Sequence, residues 1–469
     1  MKIVYVHHHL RRGGVTRVIN DQIEAIGETH QVLVVTGESP GYEVPFPVSV
    51  VPSIAYDRDR TDHQGAERSA GSILSAVRNH WGTDADLYHV HNPTLGKNSD
   101  FLSVLRILQA KGARLLLQIH DFAEDGRPQN YTGKPYPENC HYAVINSRDF
   151  RLLLRAGLTH EGLHLIPDAV RPLPESSSEG KGDLVLYPVR AIRRKNIGEA
   201  VLLSLFLSDE EKVGITLEPT GDLDVRSYSA WVAFVQSEKL SVLFGLGLTD
   251  SFERVLGRAR CILTTSVKEG FGLVFLESWM GNRPLFGRLL PDICADFMEK
   301  GVRLDHLYTR LDVPLNTFDH ERFFKKWERC YRDRLGRYGM KMNIDEVHEF
   351  LGGIRSAGVV DFGMLSEDLQ RQVILKLKNS PDLHRDLMEL NPRLGWITGL
   401  KQSGELVSRN REIVAREFSA QRNRERLLRT YESVCEVSPV QAVRSDVLLR
   451  VFNIPETGNL LLCDQSYDE

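Results

Sequence analysis

The chain opens with Lys2-Ile-Val-Tyr-Val6, then His7-His8-His9-Leu10-Arg11-Arg12-Gly13-Gly14, then Val15-Thr-Arg-Val-Ile-Asn-Asp-Gln-Ile-Glu-Ala-Ile26, and then Gln31-Val-Leu-Val-Val-Thr36. The first and last pieces are short apolar runs rich in β-branched residues, the composition of buried strands. Between them Val15, Val18, Ile19, Ile23 and Ile26 recur at helix spacing behind a pair of glycines. Strand, glycine loop, helix and strand in that order open a parallel α/β sheet, because parallel neighbours need a crossover and a helix supplies it.

The alternation continues. Strands are expected over 87–90, 114–119, 142–145 and 163–166, and helices over 66–79, 101–111 and 147–156, which makes residues 1–171 a first α/β domain. Residues 172–182 carry Pro, Gly and Ser with no large apolar residue after Leu173 and read as a linker. Strands over 184–189, 214–218, 242–244 and 260–265, with helices over 197–207, 251–259 and 273–280, make 183–325 a second α/β domain. Residues 326–400 turn helical and strongly charged and read as a helical insertion without an assigned role. Residues 401–435 read as terminal helices, and 436–469 as a tail whose short apolar runs, 447–452 and 460–463, look strand-like. In open α/β sheets ligands sit off the carboxyl ends of the strands, so the loops after the strands are the place to look for a site.

Composition narrows the chemistry. The 469 residues hold 59 Lys plus Arg against 63 Asp plus Glu, a net charge of -4 that gives no global attraction to nucleic acid or to anionic lipid. No apolar run approaches the roughly 20 residues needed to span a bilayer, and Met1 to Val6 leads into histidines and arginines rather than into a signal-peptide core. Six cysteines lie far apart with no CxxC pair, which fits reduced thiols and a cytoplasmic protein.

The richest segment is Ser266-Val-Lys-Glu-Gly-Phe-Gly-Leu-Val-Phe-Leu-Glu-Ser-Trp-Met-Gly-Asn-Arg-Pro284, a strand end, a glycine turn and a helix start. Glu269 in the turn is able to accept hydrogen bonds from hydroxyls, Gly270 and Gly272 permit close approach of backbone to a ligand, and Glu277 lies inside the helix. This segment resembles the signature of retaining glycosyltransferases of family 4, whose GT-B fold has two facing Rossmann-like domains with a cleft between them. The resemblance implies that Glu269 holds the donor sugar, that Gly270, Phe271, Gly272 and Leu273 lie beside sugar and phosphates, and that Glu277 holds the ribose. The family has Gly where this chain has Asn282; Asn tolerates a left-handed backbone best among the other residues, so the departure is mild.

Other segments extend the likeness. Arg190 ends a strand and Lys195 follows in Val189-Arg-Ala-Ile-Arg-Arg-Lys-Asn-Ile197, where two cations would stabilise the charge that develops on a diphosphate leaving group; Arg193 and Arg194 stand near enough to share that role. The family has an Arg and a Lys at this spacing, preceded by Gly rather than by Val189. Gly13 and Gly14 resemble the family's amino-terminal Gly-Gly loop on the donor side. His120-Asp121 after a strand resembles its His-Asp pair, with the histidine near donor sugar and acceptor. His89 and His91 share a strand face and read as lining or structural residues. Ile166-Pro-Asp-Ala-Val170 resembles Ile-Pro-Asn-Gly-Val, and 418–431 resembles the helix that crosses back to the first domain. The likeness covers about 1–320 and 405–435.

The resulting expectation is a retaining glycosyltransferase that moves a hexose from a nucleotide-diphosphate sugar to an acceptor hydroxyl, with the base open among uridine, guanosine and adenosine. His120, Glu269, Arg190 and Lys195 are the expected catalytic residues. No metal or other cofactor is expected: three adjacent histidines, His7 to His9, cannot all turn to one ion from an extended chain, and Asp84 and Asp86 lie in the first domain. An inverting route with one of those histidines as base is not excluded by residue type. Arg11, Arg12, Lys97, Arg127 and Lys134 fall in loops after first-domain strands and suggest a small anionic acceptor. The arginines between 409 and 429 offer a peripheral contact to anionic lipid, against which Glu412, Glu417 and Glu425 favour a solvated helix. The alternatives are a GT-B hydrolase or epimerase of nucleotide sugars and a non-catalytic nucleotide-sugar-binding protein. Oligomeric state is not legible.

Overall fold

In chain order the elements are β1 (Lys2–His7), α1 (Gly14–Ile26), β2 (Gln31–Thr36), β3 (Val48–Val50), α2 (Ala66–Trp81), β4 (Leu87–His91), α3 (Phe101–Ala110), β5 (Leu115–Ile119), β6 (His141–Val144), α4 (Ser147–Arg155) and β7 (Leu163–Leu165). There follow β8 (Leu184–Arg190), α5 (Ile197–Leu203), β9 (Lys212–Leu217), α6 (Asp222–Glu238), β10 (Val242–Leu243), α7 (Leu246–Thr249), α8 (Phe252–Arg258), β11 (Ala259–Thr264), α9 (Val274–Met280), β12 (Leu285–Gly287) and α10 (Pro291–Glu299). The remainder is β13 (Asp312–Pro314), α11 (His320–Arg337), α12 (Ile344–Ala357), β14 (Val359–Asp361), α13 (Glu367–Lys378), α14 (Pro381–Leu390), α15 (Trp396–Gly399), α16 (Gly404–Glu417), α17 (Ala420–Glu436), α18 (Ser445–Phe452) and α19 (Leu460–Cys463). This computed structural model describes residues 1–27, 29–63, 65–172, 182–399 and 404–463. The expected linker at 172–182 therefore falls outside the described residues except at its ends, as does the end of the expected tail.

The chain divides into one unit of residues 1–170 and 417–453 and a second of 171–416 and 454–469. Among the described residues the first unit holds a seven-stranded sheet in the order β3-β2-β1-β4-β5-β6-β7, with every pair parallel. Strand alternation divides its core in two. Ile3, Tyr5, Val32, Val34, Leu87 and Leu116 face α1 and α17 through Ile19, Ile23, Leu427 and Tyr431. Val4, Val6, Leu33, Val35, Val90 and Leu117 face α2, α3, α4 and α18. The order places a reversal between β1 and β4: the chain leaves β1 toward β2 and β3, then returns to the other side of β1.

The second unit repeats the plan with five parallel strands, β10-β9-β8-β11-β12, and a reversal between β8 and β11. One face of this sheet, through Val185, Tyr187, Val213, Ile215, Cys261 and Leu263, packs into a single core with Trp231 of α6, Phe323, Trp327 and Tyr331 of α11, Val347 and Leu351 of α12, Leu369, Val373 and Ile374 of α13, and Leu387 of α14.

Two expectations need correction. Residues 326–400 are mainly helical, as expected, yet they do not stand apart: their apolar faces close the core of the second sheet, and β13 and β14 form a small antiparallel pair within it. The runs 447–452 and 460–463 are not strands but lie in α18 and α19. A short apolar run carries no decisive period, and burial of Leu448, Leu449 and Phe452 on one side resolves α18 as a helix. α18 packs in the first unit, whereas Leu460 of α19 belongs to the core of the second.

Among the described residues no helix is long and apolar enough to cross a membrane. The six cysteines are free.

Trp327 is 1 % exposed, stacks on Tyr331 at 4.9 Å and donates from Nε1 to the carbonyl of Gly458 at 3.0 Å. Trp327→Ala is expected to cost about 3 to 5 kcal/mol in denaturant unfolding of the main transition. A separate appendage would leave that transition in place.

Candidate active site

In the second unit the reversal between β8 and β11 gathers the loops that follow both strands. They are stitched together by hydrogen bonds. The hydroxyl of Tyr187 donates to the carbonyl of Lys195 at 2.8 Å, Thr265 Oγ1 reaches the carbonyls of Lys195 and Asn196 at 3.0 Å each, and the amide of Val267 donates to the carbonyl of Arg194 at 3.0 Å. Arg194 Nη1 spans to the carbonyl of Lys268 at 2.8 Å and to Glu269 Oε2 at 2.6 Å, while Lys195 Nζ donates to Glu269 Oε1.

Glu269 is thus a nearly buried carboxylate with one cation on each oxygen. Burial pushes its pKa up, but Arg194 and Lys195 outweigh burial and hold it at about 2. Ser266 hydrogen-bonds the carboxylate as well, which leaves one further acceptor site for a hydroxyl. The structure therefore gathers two of the residues foreseen for the donor, Glu269 and Lys195, with Arg194 rather than Arg190 as the second cation. Arg190 is exposed at the end of β8 and donates to the carbonyl of Glu218 at 3.0 Å. Arg193 turns to Asp224, which accepts from its backbone amide at 2.9 Å.

The turn after Glu269 has the expected shape. Gly272 has φ +84, and a Cβ there would come 2.8 Å from Phe275, so glycine is required. Phe271 is buried, edge-on to Phe297 at 5.3 Å, and anchors the turn. Gly270 precedes it, Leu273 precedes α9, and Glu277 lies half-buried in the first turn of that helix. Asn282, where the family has Gly, adopts φ 55.

In the first unit His7, at the end of β1, donates from Nδ1 to the carbonyl of His91 at 3.0 Å; His8 donates to the carbonyl of Ile54 at 2.7 Å; His9 Nε2 lies 3.0 Å from the hydroxyl of Tyr56. The three rings serve three partners. Gly13 is extended and Gly14 opens α1, and a side chain at either would meet no obstacle within the protein. His120, after β5, shares a 3.0 Å hydrogen bond between its Nε2 and His91 Nδ1, and the two rings stack. Nε2 of His91 is buried without a partner. A bare lone pair is the cheaper group to leave there, so His91 donates and the His120 proton sits on Nδ1. Burial draws His120 down to about 4, which keeps the ring neutral near pH 7. His89 is structural: Nε2 donates to Gln118 Oε1 at 2.8 Å, and Nδ1 lies 3.0 Å from the Tyr431 hydroxyl of α17.

The five basic residues of the first unit differ in what holds them. Arg11 is paired with Glu38 at 2.5 Å and Asp59 at 3.0 Å, Arg127 with Asp121 at 2.6 Å, and Lys134 donates to the carbonyl of Ser99 at 2.6 Å. Arg12 is exposed. Lys97 lies over the Tyr56 ring, 4.7 Å from its centroid and 3.5 Å from its hydroxyl, and burial followed by the nearby Arg127 charge draws its ammonium below the usual value.

No family model matches the sequence. The chain is 25% identical over 437 residues to mannosylglucosyl-3-phosphoglycerate synthase of Petrotoga mobilis, covering 83% of this chain and 85% of that protein. The fold matches sucrose-phosphate synthase from Thermosynechococcus elongatus at TM-score 0.53, with 13% identity over 92% of this chain and 98% of the other. It matches Anabaena HepE, solved with UDP-glucose, at TM-score 0.55, with 12% identity over 92% and 100%. This chain is a GT-B glycosyltransferase. The likeness to family 4 read from residues 266–284 stands.

Residue reading missed two features of the glycosyltransferase. Tyr56 lies in a loop with no periodic signal. A buried ion network of Glu199, Arg288 and Asp361 is assembled from three distant segments, and only the left-handed preference of Asn196 beside Lys195 hinted at an ordered loop there.

Lys195→Ala is expected to lower turnover roughly hundredfold, and Arg190→Ala, exposed and bound to a carbonyl, less than tenfold; steady-state kinetics separate them. Because Glu269 titrates below its ordinary 4.5, its contribution to stability is complete above that pH and lost as pH falls through about 2. The stability gap between the wild type and Glu269→Gln in denaturant titrations should be constant above pH 4.5 and shrink toward pH 2.

Proposed function

We propose that this glycosyltransferase moves a hexose from a nucleoside-diphosphate hexose to a hydroxyl of a small anionic acceptor of the phosphoglycerate type, with retention at the anomeric carbon and without a metal ion. The observation that carries the donor half is the Lys195–Glu269–Arg194 cluster at the strand reversal of the second unit. An ionised Glu269 suits the hydroxyls of a hexose, and cations held beside it suit the negative charge that grows on the diphosphate as the glycosidic bond breaks. Fixed cations at that place do the work otherwise asked of a divalent ion. Gly270 to Leu273 and Glu277 are given the diphosphate and ribose contacts. In the first unit, His120 is given a hydrogen bond from Nδ1 to the sugar or acceptor, and Gly13 and Gly14 the phosphate side. With the reacting face lined by cations, retention follows if the departing phosphate oxygen takes the acceptor's proton as the new bond forms on the same face.

The anionic acceptor is supported by the curated relative, named as a synthase of mannosylglucosyl-3-phosphoglycerate, and by the first-unit cations. Lys97 carries most of that weight. Its ammonium is partly buried and has no carboxylate within 4.0 Å among the described residues, whereas Arg11 and Arg127 are paired. A phosphate or carboxylate would relieve a charge that Tyr56 holds only through its ring and hydroxyl.

The test is product analysis with a panel of α-linked nucleotide hexoses and sugar acceptors with and without phosphoglycerate. Proton NMR of the new linkage should show the α configuration; a β product contradicts retention and favours His7, His8 or His9 as base. Lys97→Met should raise KM for an anionic acceptor about tenfold and leave that of a neutral analogue unchanged. EDTA is expected to leave the rate unchanged, and magnesium-reversible loss of activity would refute the metal-free reading.

A further inference from the structure

The helical segment 326–400 sends one side chain into the loop that carries Lys195. Gln370 of α13 donates from Nε2 to Asn196 Oδ1 at 2.9 Å, and the same nitrogen reaches the carbonyl of Phe362 at 3.2 Å. With two acceptors facing it, the amide has one sensible orientation. It is also tightly seated: a Cβ on Gly198 would fall 2.1 Å from Gln370 Oε1 and 2.6 Å from Trp231. Asn196 is buried, holds φ 51 and follows Lys195 directly. Its other end, Nδ2, donates to Glu199 Oε2 at 2.7 Å.

Glu199 is in turn fixed. Arg288 grips it through Nε at 3.0 Å and Nη2 at 2.5 Å, and the Tyr308 hydroxyl donates to it at 2.8 Å. The same guanidinium binds both oxygens of Asp361 at 2.7 and 2.8 Å, and Asp361 begins the turn whose Phe362 carbonyl receives Gln370. The network is closed: from Asp361 through Arg288 and Glu199 to Asn196, and from Asn196 through Gln370 back to Phe362. Each charged member is hydrogen-bonded, with Arg288 shared between the two carboxylates, as a buried charge must be if the network is to rigidify rather than weaken its surroundings.

We propose that Asn196 and Gln370 are positioning residues for Lys195, so that segment 326–400 is part of the donor site. A lysine has four rotatable carbons, and its ammonium is only as well placed as the backbone that launches it. Tyr187 and Thr265 hold the carbonyl of Lys195; the Asn196 side chain, clamped at both ends, holds its own backbone in the left-handed conformation that ends the turn. This inference rests on the reading of Lys195 as a donor-site residue.

Asn196→Gly keeps the left-handed backbone and removes both side-chain bonds; Gln370→Met keeps the volume and removes its donor. Calorimetric titration with UDP, GDP and ADP, and kinetics with the cognate sugar donor, are compared with Lys195→Ala. Both variants should weaken the preferred diphosphate and raise donor KM about tenfold, with acceptor KM unchanged, at temperatures where each remains folded. A lowered melting temperature with diphosphate affinity and donor KM unchanged would mark the network as merely structural and overturn the proposal. If Lys195→Ala weakens the diphosphate and the two variants do not, the positioning role alone fails. If Lys195→Ala leaves diphosphate affinity unchanged, the donor-site reading fails and this inference falls with it.

Discussion

A carboxylate taken almost wholly out of water must find cations, and Glu269 finds two, Arg194 and Lys195, from a loop seventy-odd residues earlier in the chain. Much of the second unit can be understood as the means of keeping that meeting in place. Two strands with a reversal between them bring the loops together. Tyr187, Thr265 and Val267 bind the first loop to the second, Gly272 and Phe271 shape the turn, and the Arg288 network braces Asn196. A buried ion pair adds little to stability when compared with well-packed apolar residues, and removing one partner is costly, so the cluster is better explained by chemistry than by folding. On the proposed reading its local value is electrostatic preorganisation: charges already fixed beside a leaving diphosphate would not need to reorganise as its charge develops.

The first unit uses the same plan with a different polar interior. Its strand reversal gathers His7, His91 and His120, and below them Tyr5, Tyr431, His89, Gln118 and Gln22 form a neutral hydrogen-bonded network. Burial draws these histidines below their ordinary pKa, so the network fixes ring orientation and tautomer instead of charge. The cations stand farther out in the loops, where Lys97 differs from Arg11 and Arg127 in having an aromatic ring as its neighbour in place of a carboxylate.

What was legible in the sequence follows from how local each signal is. The opening run from Lys2 to Thr36 carried strand and helix periods of its own, and the segment from Ser266 to Pro284 carried its turn chemistry, including the left-handed Asn282 in place of glycine. The pairing of Glu269 with Lys195 was within reach because both lie directly after strands. The choice between Arg190 and Arg194 was not, since it depends on which side chain the irregular end of β8 turns toward Lys268. Residues 326–400 looked like an addition because their charge is carried on exposed faces, while the apolar faces that join them to the second sheet become evident only when packed. α18 and α19 were misread as strands because four to eight apolar residues carry no period that separates strand from helix. The Arg288 network escaped because no local pattern links residues 199, 288 and 361.

The most direct test of the account is a crystal structure of the protein with its nucleoside-diphosphate sugar. The diphosphate is expected at the carboxyl ends of β8 and β11, hydrogen-bonded to Lys195, with sugar hydroxyls on Glu269. Density for the diphosphate elsewhere in the second unit, with Lys195 and Glu269 still paired and touching neither phosphate nor sugar, would contradict it.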